Sequence, residues 1–155
     1  MEYLIRPARI TDIEKLVALG GGRLHLGDHS GPLDAADLMR QLVYLPQASI
    51  FVAETQREVV GGAILALRPS VRAGGFVGSV DILVVGPGHD ADRVTDALLE
   101  EVVRSARNKG CTVVEAPAPD DPEARTRFER RGFTDGTRVL ARPVAETTAT
   151  AHRAG

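Results

Sequence analysis

Two histidines and an aspartate, His25, Asp28 and His29, fall within one short stretch bounded by Gly20-Gly21-Gly22 and Gly31. Imidazole titrates near neutral pH, so either ring can bind or deprotonate an incoming nucleophile. The plainer reading is a glycine-rich surface loop whose histidines do neither. No Asp or Glu stands at metal-ligand spacing to complete a site with them, and no Cys/His cluster has zinc spacing, so no metal is expected. Cys111 is the single cysteine, which excludes an internal disulfide. At the head of an apolar, β-branched run it reads as a small buried hydrophobe rather than a nucleophile. Arg125, Arg127, Arg130 and Arg131 make a basic face, but the formal net charge of −2 gives no broad positive field. That face reads as solvated or as a partner contact, and neither nucleic acid nor a membrane surface is expected as a partner.

These groups must be carried by one domain. A chain of 155 residues, 43% hydrophobic and 26% charged, buries one core and has no room for two domains of usual size. Residues 1–144 are expected to form that domain and residues 145–155, which lack periodicity, a flexible tail. No leader pattern opens the chain and no run reaches the roughly 18 apolar residues of a membrane span, so the expected compartment is the cytoplasm.

The periodicities give the elements. Tyr3 to Arg6 predicts a strand, and Thr11 with Glu14 a capping box opening a helix that Gly20-Gly21-Gly22 ends. A second helix is predicted from near Pro32 to Pro46, with Leu38, Met39 and Leu42 turned to the core. Ser49–Ala53, Val59–Leu67 and Phe76–Val85 read as a three-strand antiparallel meander. Val94, Leu98, Val102 and Ala106 recur four apart and predict a helix over 93–109 closed by Gly110. A strand over 111–116 then lies parallel to the one ending at Val85, because a helical crossover joins them. Asp121-Pro122 opens a short helix to Gly132, and a last strand is expected over Thr137–Val144.

This order, together with three local signatures, resembles the GNAT N-acyltransferase superfamily over residues 1 to about 144. Ile5-Arg6-Pro7-Ala8 through Asp12 is similar to the family's first strand and turn. Val85-Gly86-Pro87 and Leu98-Leu99 sit at the spacing of its coenzyme A motif. Asp121, Ala124, Phe128, Gly132 and Phe133 match the frame of its late helix position for position. The resemblance implies an α/β (α+β) fold, a mixed central sheet of six to seven strands flanked by about four helices. It implies transfer of an acetyl or acyl group from acetyl-CoA or another acyl-CoA to a small-molecule or protein amine. The alternative is a catalytically inactive GNAT-fold binding or regulatory module.

By the same resemblance, Leu83, Val84 and Val85 pair with the pantetheine arm, and Asp90, Ala91, Asp92, Arg93, Val94 and Thr95 hold the pyrophosphate position. Asp90 stands where the family has a basic or amide residue, and Arg93 and Thr95 where it has glycines. Two carboxylates therefore face an anion's seat, and either can act as an N-cap that takes the donors a phosphate needs. Arg93 offers a guanidinium in exchange. The family's thiolate-protonating tyrosine falls on Phe128, which has no hydroxyl and is equally a core residue. Asp81 is either a general base for the amine or a solvated carboxylate. His25 and His29 lie where the family lines its acceptor site. The short Asp135-Gly136 connection leaves an edge open to a macromolecular acceptor or to a second subunit, that is, a homodimer.

Overall fold

A computed structural model of the chain describes residues 2–21, 34–136 and 138–144. His25, Asp28, His29 and the expected tail over 145–155 lie outside the described residues. The described chain runs β1 (Leu4–Pro7), a 3-10 turn (Ile10–Asp12), α1 (Ile13–Gly20), α2 (Ala35–Leu42), β2 (Ala48–Thr55), β3 (Glu58–Ser70), β4 (Gly75–Val85), α3 (Ala91–Asn108), β5 (Cys111–Glu115) and α4 (Pro122–Glu129). The sheet order is β1-β2-β3-β4-β5. The first four strands are antiparallel neighbours, and only β5, reached through the α3 crossover, lies parallel to its neighbour β4.

Two apolar clusters cover the two faces of this sheet. On one, the α3 stripe Val94, Leu98, Leu99, Val102 and Ala106 packs with Val60, Leu65 and Val80. On the other, Ile13 and Leu16 of α1 and Met39 of α2 pack with Ile50, Val52 and Ile64. Side chains alternate across a strand, so the meander feeds both layers at once. Gly62 leaves room for α1 on the sheet. A Cβ there would run into Leu16 Cδ2 and lie 2.9 Å from the Phe51 carbonyl.

Several expectations are corrected. The sheet has five strands among the described residues rather than six to seven, because residues 138–144 pair with no neighbour. Their apolar content does not turn to a core: Val139, Leu140 and Val144 are almost fully exposed. The Thr11–Glu14 capping box is replaced by Asp12, whose Oδ2 accepts the Arg9 N–H at 2.7 Å. That carboxylate is buried and also takes both terminal nitrogens of Arg6, at 2.8 and 3.1 Å, while Arg6 Nε reaches Glu54 at 2.9 Å. The Arg6 hydrogen bonds hold Asp12 below the ordinary carboxylate range against the opposing effect of burial. In α2 only Met39 is fully buried, and Leu38 is exposed.

Candidate functional site

The cleft begins where two strands part. Pairing of β4 with β5 covers only Phe76–Ser79 against Cys111–Glu115. Beyond Ser79, β4 continues to Val85 with β3 as its only strand partner among the described residues. The divergence leaves one edge of Val80–Val85 without a strand, at the carboxyl ends of two parallel strands, where open α/β sheets hold ligands.

Asp81 sits at the start of this free stretch. Ile64 pairs with Ile82 and Leu65 with Val80, so Asp81 is the extra residue of a bulge, and its side chain is exposed. A bulge re-aims one side chain and disrupts the ladder locally. Leu83 and Val85 are half-buried against the α3 cluster, and Val84 alternates to the other face. Gly61 lets three elements meet there. A Cβ on it would stand 2.8 Å from the Val84 carbonyl and 2.9 Å from Val94 Cγ1.

The turn from β4 into α3 is fixed by Gly86, whose N–H donates to Val60 O at 2.7 Å. The first turn of α3 then carries the groups that meet an anion. Asp90 is the N-cap, accepting the Arg93 N–H at 3.2 Å. Its own N–H donates to the Tyr3 hydroxyl at 3.4 Å. The Arg93 guanidinium lies over the Tyr3 ring, 5.5 Å from its centroid, within cation–π range. Asp92 points the other way, accepting from Arg127 Nε at 2.8 Å and lying 3.5 Å from Arg130. The Arg127 hydrogen bond, aided by Arg130, keeps its carboxyl below the usual range. Ala91 is half-exposed, whereas Val94 and Thr95 are buried and face the core rather than the cleft.

Of the remaining predicted residues, His25 and His29 lie outside the described residues. Phe128 is half-buried against the α3 cluster, its ring edge-to-face with Phe133 at 5.3 Å. Tyr3 escaped the sequence reading, since its contact with Asp90 joins residues 87 apart. The α4 arginines, read there as a solvated face or a partner contact, meet α3 instead: Asp92, Asp96 and Glu100 recur four apart, and Arg127, Arg130 and Arg131 pair with that acidic stripe. Among the described residues no group of three His, Cys, Asp or Glu side chains is placed to hold a metal, and no helix is long and apolar enough to cross a membrane.

Residues 23–133 match the model of the Acetyltransferase (GNAT) family. Three solved structures show the same fold. An acetyltransferase from Trypanosoma brucei has a TM-score of 0.69 at 23% identity, over 92% of this chain and 100% of that one. A transcriptional regulator from Bacillus halodurans has a TM-score of 0.75 at 19% identity, over 91% and 99%. Glucosamine-6-phosphate N-acetyltransferase from Arabidopsis thaliana has a TM-score of 0.70 at 17% identity, over 92% and 98%. No curated protein matches the sequence significantly.

Proposed function

Since this chain belongs to the Acetyltransferase (GNAT) family, we propose that it is an acyl-CoA-dependent N-acyltransferase acting on an amine. The observation that carries this reading is the cleft between β4 and β5, which leaves the edge of Val80–Val85 beside the first turn of α3. A strand edge of that kind pairs with the amide groups of a pantetheine arm, and a helix start beside it suits a diphosphate. The side chains fit such a ligand with its charge held by guanidinium groups: Arg93 directly, and Arg127 and Arg130 once they leave Asp92.

Acyl-CoA supplies an activated thioester carbonyl. The amine nitrogen bonds to that carbon, the carbon–sulfur bond breaks, and coenzyme A thiol and an amide remain. Asp81 accepts the proton the nitrogen sheds, directly or through one water. Phe128 cannot protonate the departing sulfur, so that proton comes from water, and most of the acceleration rests on holding the two reactants together.

One observation favours a second reading, a GNAT-fold binding module. Asp90 already occupies the Arg93 N–H, and Asp92 already engages Arg127 and Arg130, so the chain fills part of its own anion seat. Thermal melting with and without millimolar acetyl-CoA separates the two. A ligand at a hundred times its dissociation constant stabilises by about 2.7 kcal/mol, several degrees in a domain of this size. A shift with thiol release on adding amines supports the enzyme. No shift refutes it in favour of the module.

A further inference from the structure

The exposed Arg93 side chain leaves the first turn of α3 and ends over the Tyr3 ring. A contact of this kind draws the charge to the ring face and uses no N–H donor. Arg127, Arg130 and Arg131 are each engaged by carboxylates of α3, whereas the Arg93 guanidinium has no carboxylate partner among the described residues. Tyr3 is itself fixed. It is half-buried against the α3 cluster, and the next residue, Leu4, opens β1 opposite Glu54. Its hydroxyl accepts the Asp90 N–H at 3.4 Å, so one side chain touches both the cap of α3 and the arginine three residues further on. The Arg93 N–H is in turn taken by the Asp90 carboxylate at 3.2 Å. With these two backbone donors engaged, a diphosphate at the start of α3 depends on side-chain charge, and Arg93 supplies it there. A long side chain loses rotamer freedom when a ligand fixes it, and one already held on a platform loses less.

We propose that Tyr3 is a positioning residue for the acyl donor: its ring holds the Arg93 guanidinium, and its hydroxyl the Asp90 N–H, so that Arg93 meets the coenzyme diphosphate already ordered. The inference rests on the acyl-CoA reading above and adds to it a residue 87 positions away from the cap it contacts. Tyr3 acts through Arg93 and has no share in the acyl transfer itself. The ring face is the working part, because the attraction comes from its quadrupole and the hydroxyl only steadies the cap. Tyr3→Phe therefore keeps the platform. Tyr3→Leu keeps an apolar contact with the α3 cluster and loses the platform. An exposed cation–π contact corresponds to about two- to fivefold in affinity, which sets the size of the expected effect.

Calorimetric titration with acetyl-CoA reads the role in four variants: Tyr3→Phe, Tyr3→Leu, Arg93→Ala and the double variant Tyr3→Leu/Arg93→Ala. Tyr3→Phe should bind within about twofold of the parent chain, and Tyr3→Leu about two- to fivefold more weakly. Arg93→Ala should also weaken binding, and adding Tyr3→Leu to it should change nothing further, since the ring has no guanidinium left to hold. Additive losses, which a merely structural ring would give, overturn the proposal. A Tyr3→Leu chain that binds as tightly as the parent overturns it too, and either result leaves the acyl-CoA reading standing. A parent chain that does not bind acetyl-CoA overturns both. A second measurement keeps Tyr3 in place and so does not depend on how its variants fold. The chain has two tyrosines, Tyr3 and Tyr44, and with labelled tyrosine the nuclear magnetic resonance signals of the Tyr3 ring should shift on saturation with acetyl-CoA. In Arg93→Ala, whose exposed position spares the fold, that shift should shrink. Equal shifts with and without the guanidinium overturn the proposal.

Discussion

Replacing Asp90 by alanine should move two measurements in opposite directions. The carboxylate caps α3 through the Arg93 N–H at 3.2 Å, and losing such a cap costs about 1 kcal/mol. In a domain of this size that lowers the melting temperature of the free protein by about 2–4 °C. The same change removes a negative charge from the seat of a diphosphate. At about 6 Å and an effective dielectric constant of about 60, one charge pair amounts to about 0.9 kcal/mol, and two negative charges raise this to roughly 1.5–2 kcal/mol. The freed Arg93 N–H adds a donor, so acetyl-CoA should bind about tenfold more tightly or better. Calorimetric titration and a melting curve on one preparation read both quantities. A variant that melts lower yet binds acetyl-CoA no more tightly refutes the idea that Asp90 competes with the coenzyme.

Other outcomes follow from the same geometry. Asp81→Asn keeps the shape of the bulge but removes the base, and turnover of an amine substrate should fall by about 10² to 10⁴ with acetyl-CoA affinity unchanged; equal turnover would reassign Asp81 to the solvated role. Asp12→Ala strands the partly buried Arg6 with Glu54 alone and should cost about 2–3 kcal/mol in urea unfolding, against little for the exposed Asp37→Ala. The Asp12 carboxyl is held below its unfolded value, so its contribution is fully present above about pH 4 and is lost as pH falls through the folded value. Acid unfolding of Asp12→Asn should therefore be less steep below about pH 4 than that of the parent chain, and identical slopes would contradict the linkage. Gly62→Ala should destabilise by about 1–3 kcal/mol, because its methyl meets Leu16 and the Phe51 carbonyl; a neutral result would mean that α1 shifts freely on the sheet.

What could be read without coordinates was whatever depends on near neighbours. The β-branched runs mark β2 to β4, the four-residue recurrence from Val94 marks α3, and Asp121-Pro122 marks the start of α4 because each acts within one turn or strand. The α/β assignment and the family resemblance rest on those signals. The capping box failed because two acceptors stood side by side, and the choice of Asp12 over Thr11 was made by Arg6 on β1 together with Glu54 on β2. The last strand failed for a related reason: residues 138–144 have strand-like content but no pairing partner on the β5 edge, and a strand exists only by pairing. At the site, the Asp90 cap was legible because it reaches three residues ahead. Its contact with Tyr3 was not, since 87 residues separate the two.

The last helix is fastened differently from the rest of the fold. α4 has no fully buried residue, and apart from the half-buried Phe128 it adheres to α3 through Arg127, Arg130 and Arg131 on Asp92, Asp96 and Glu100. Exposed pairs of this kind are screened by dissolved electrolyte, with a Debye length of about 10 Å at 0.1 M, whereas the apolar contacts beneath the sheet are not. Rising ionic strength therefore weakens the hold of α4 on α3 more than it weakens the layers packed on the sheet, which apolar side chains close.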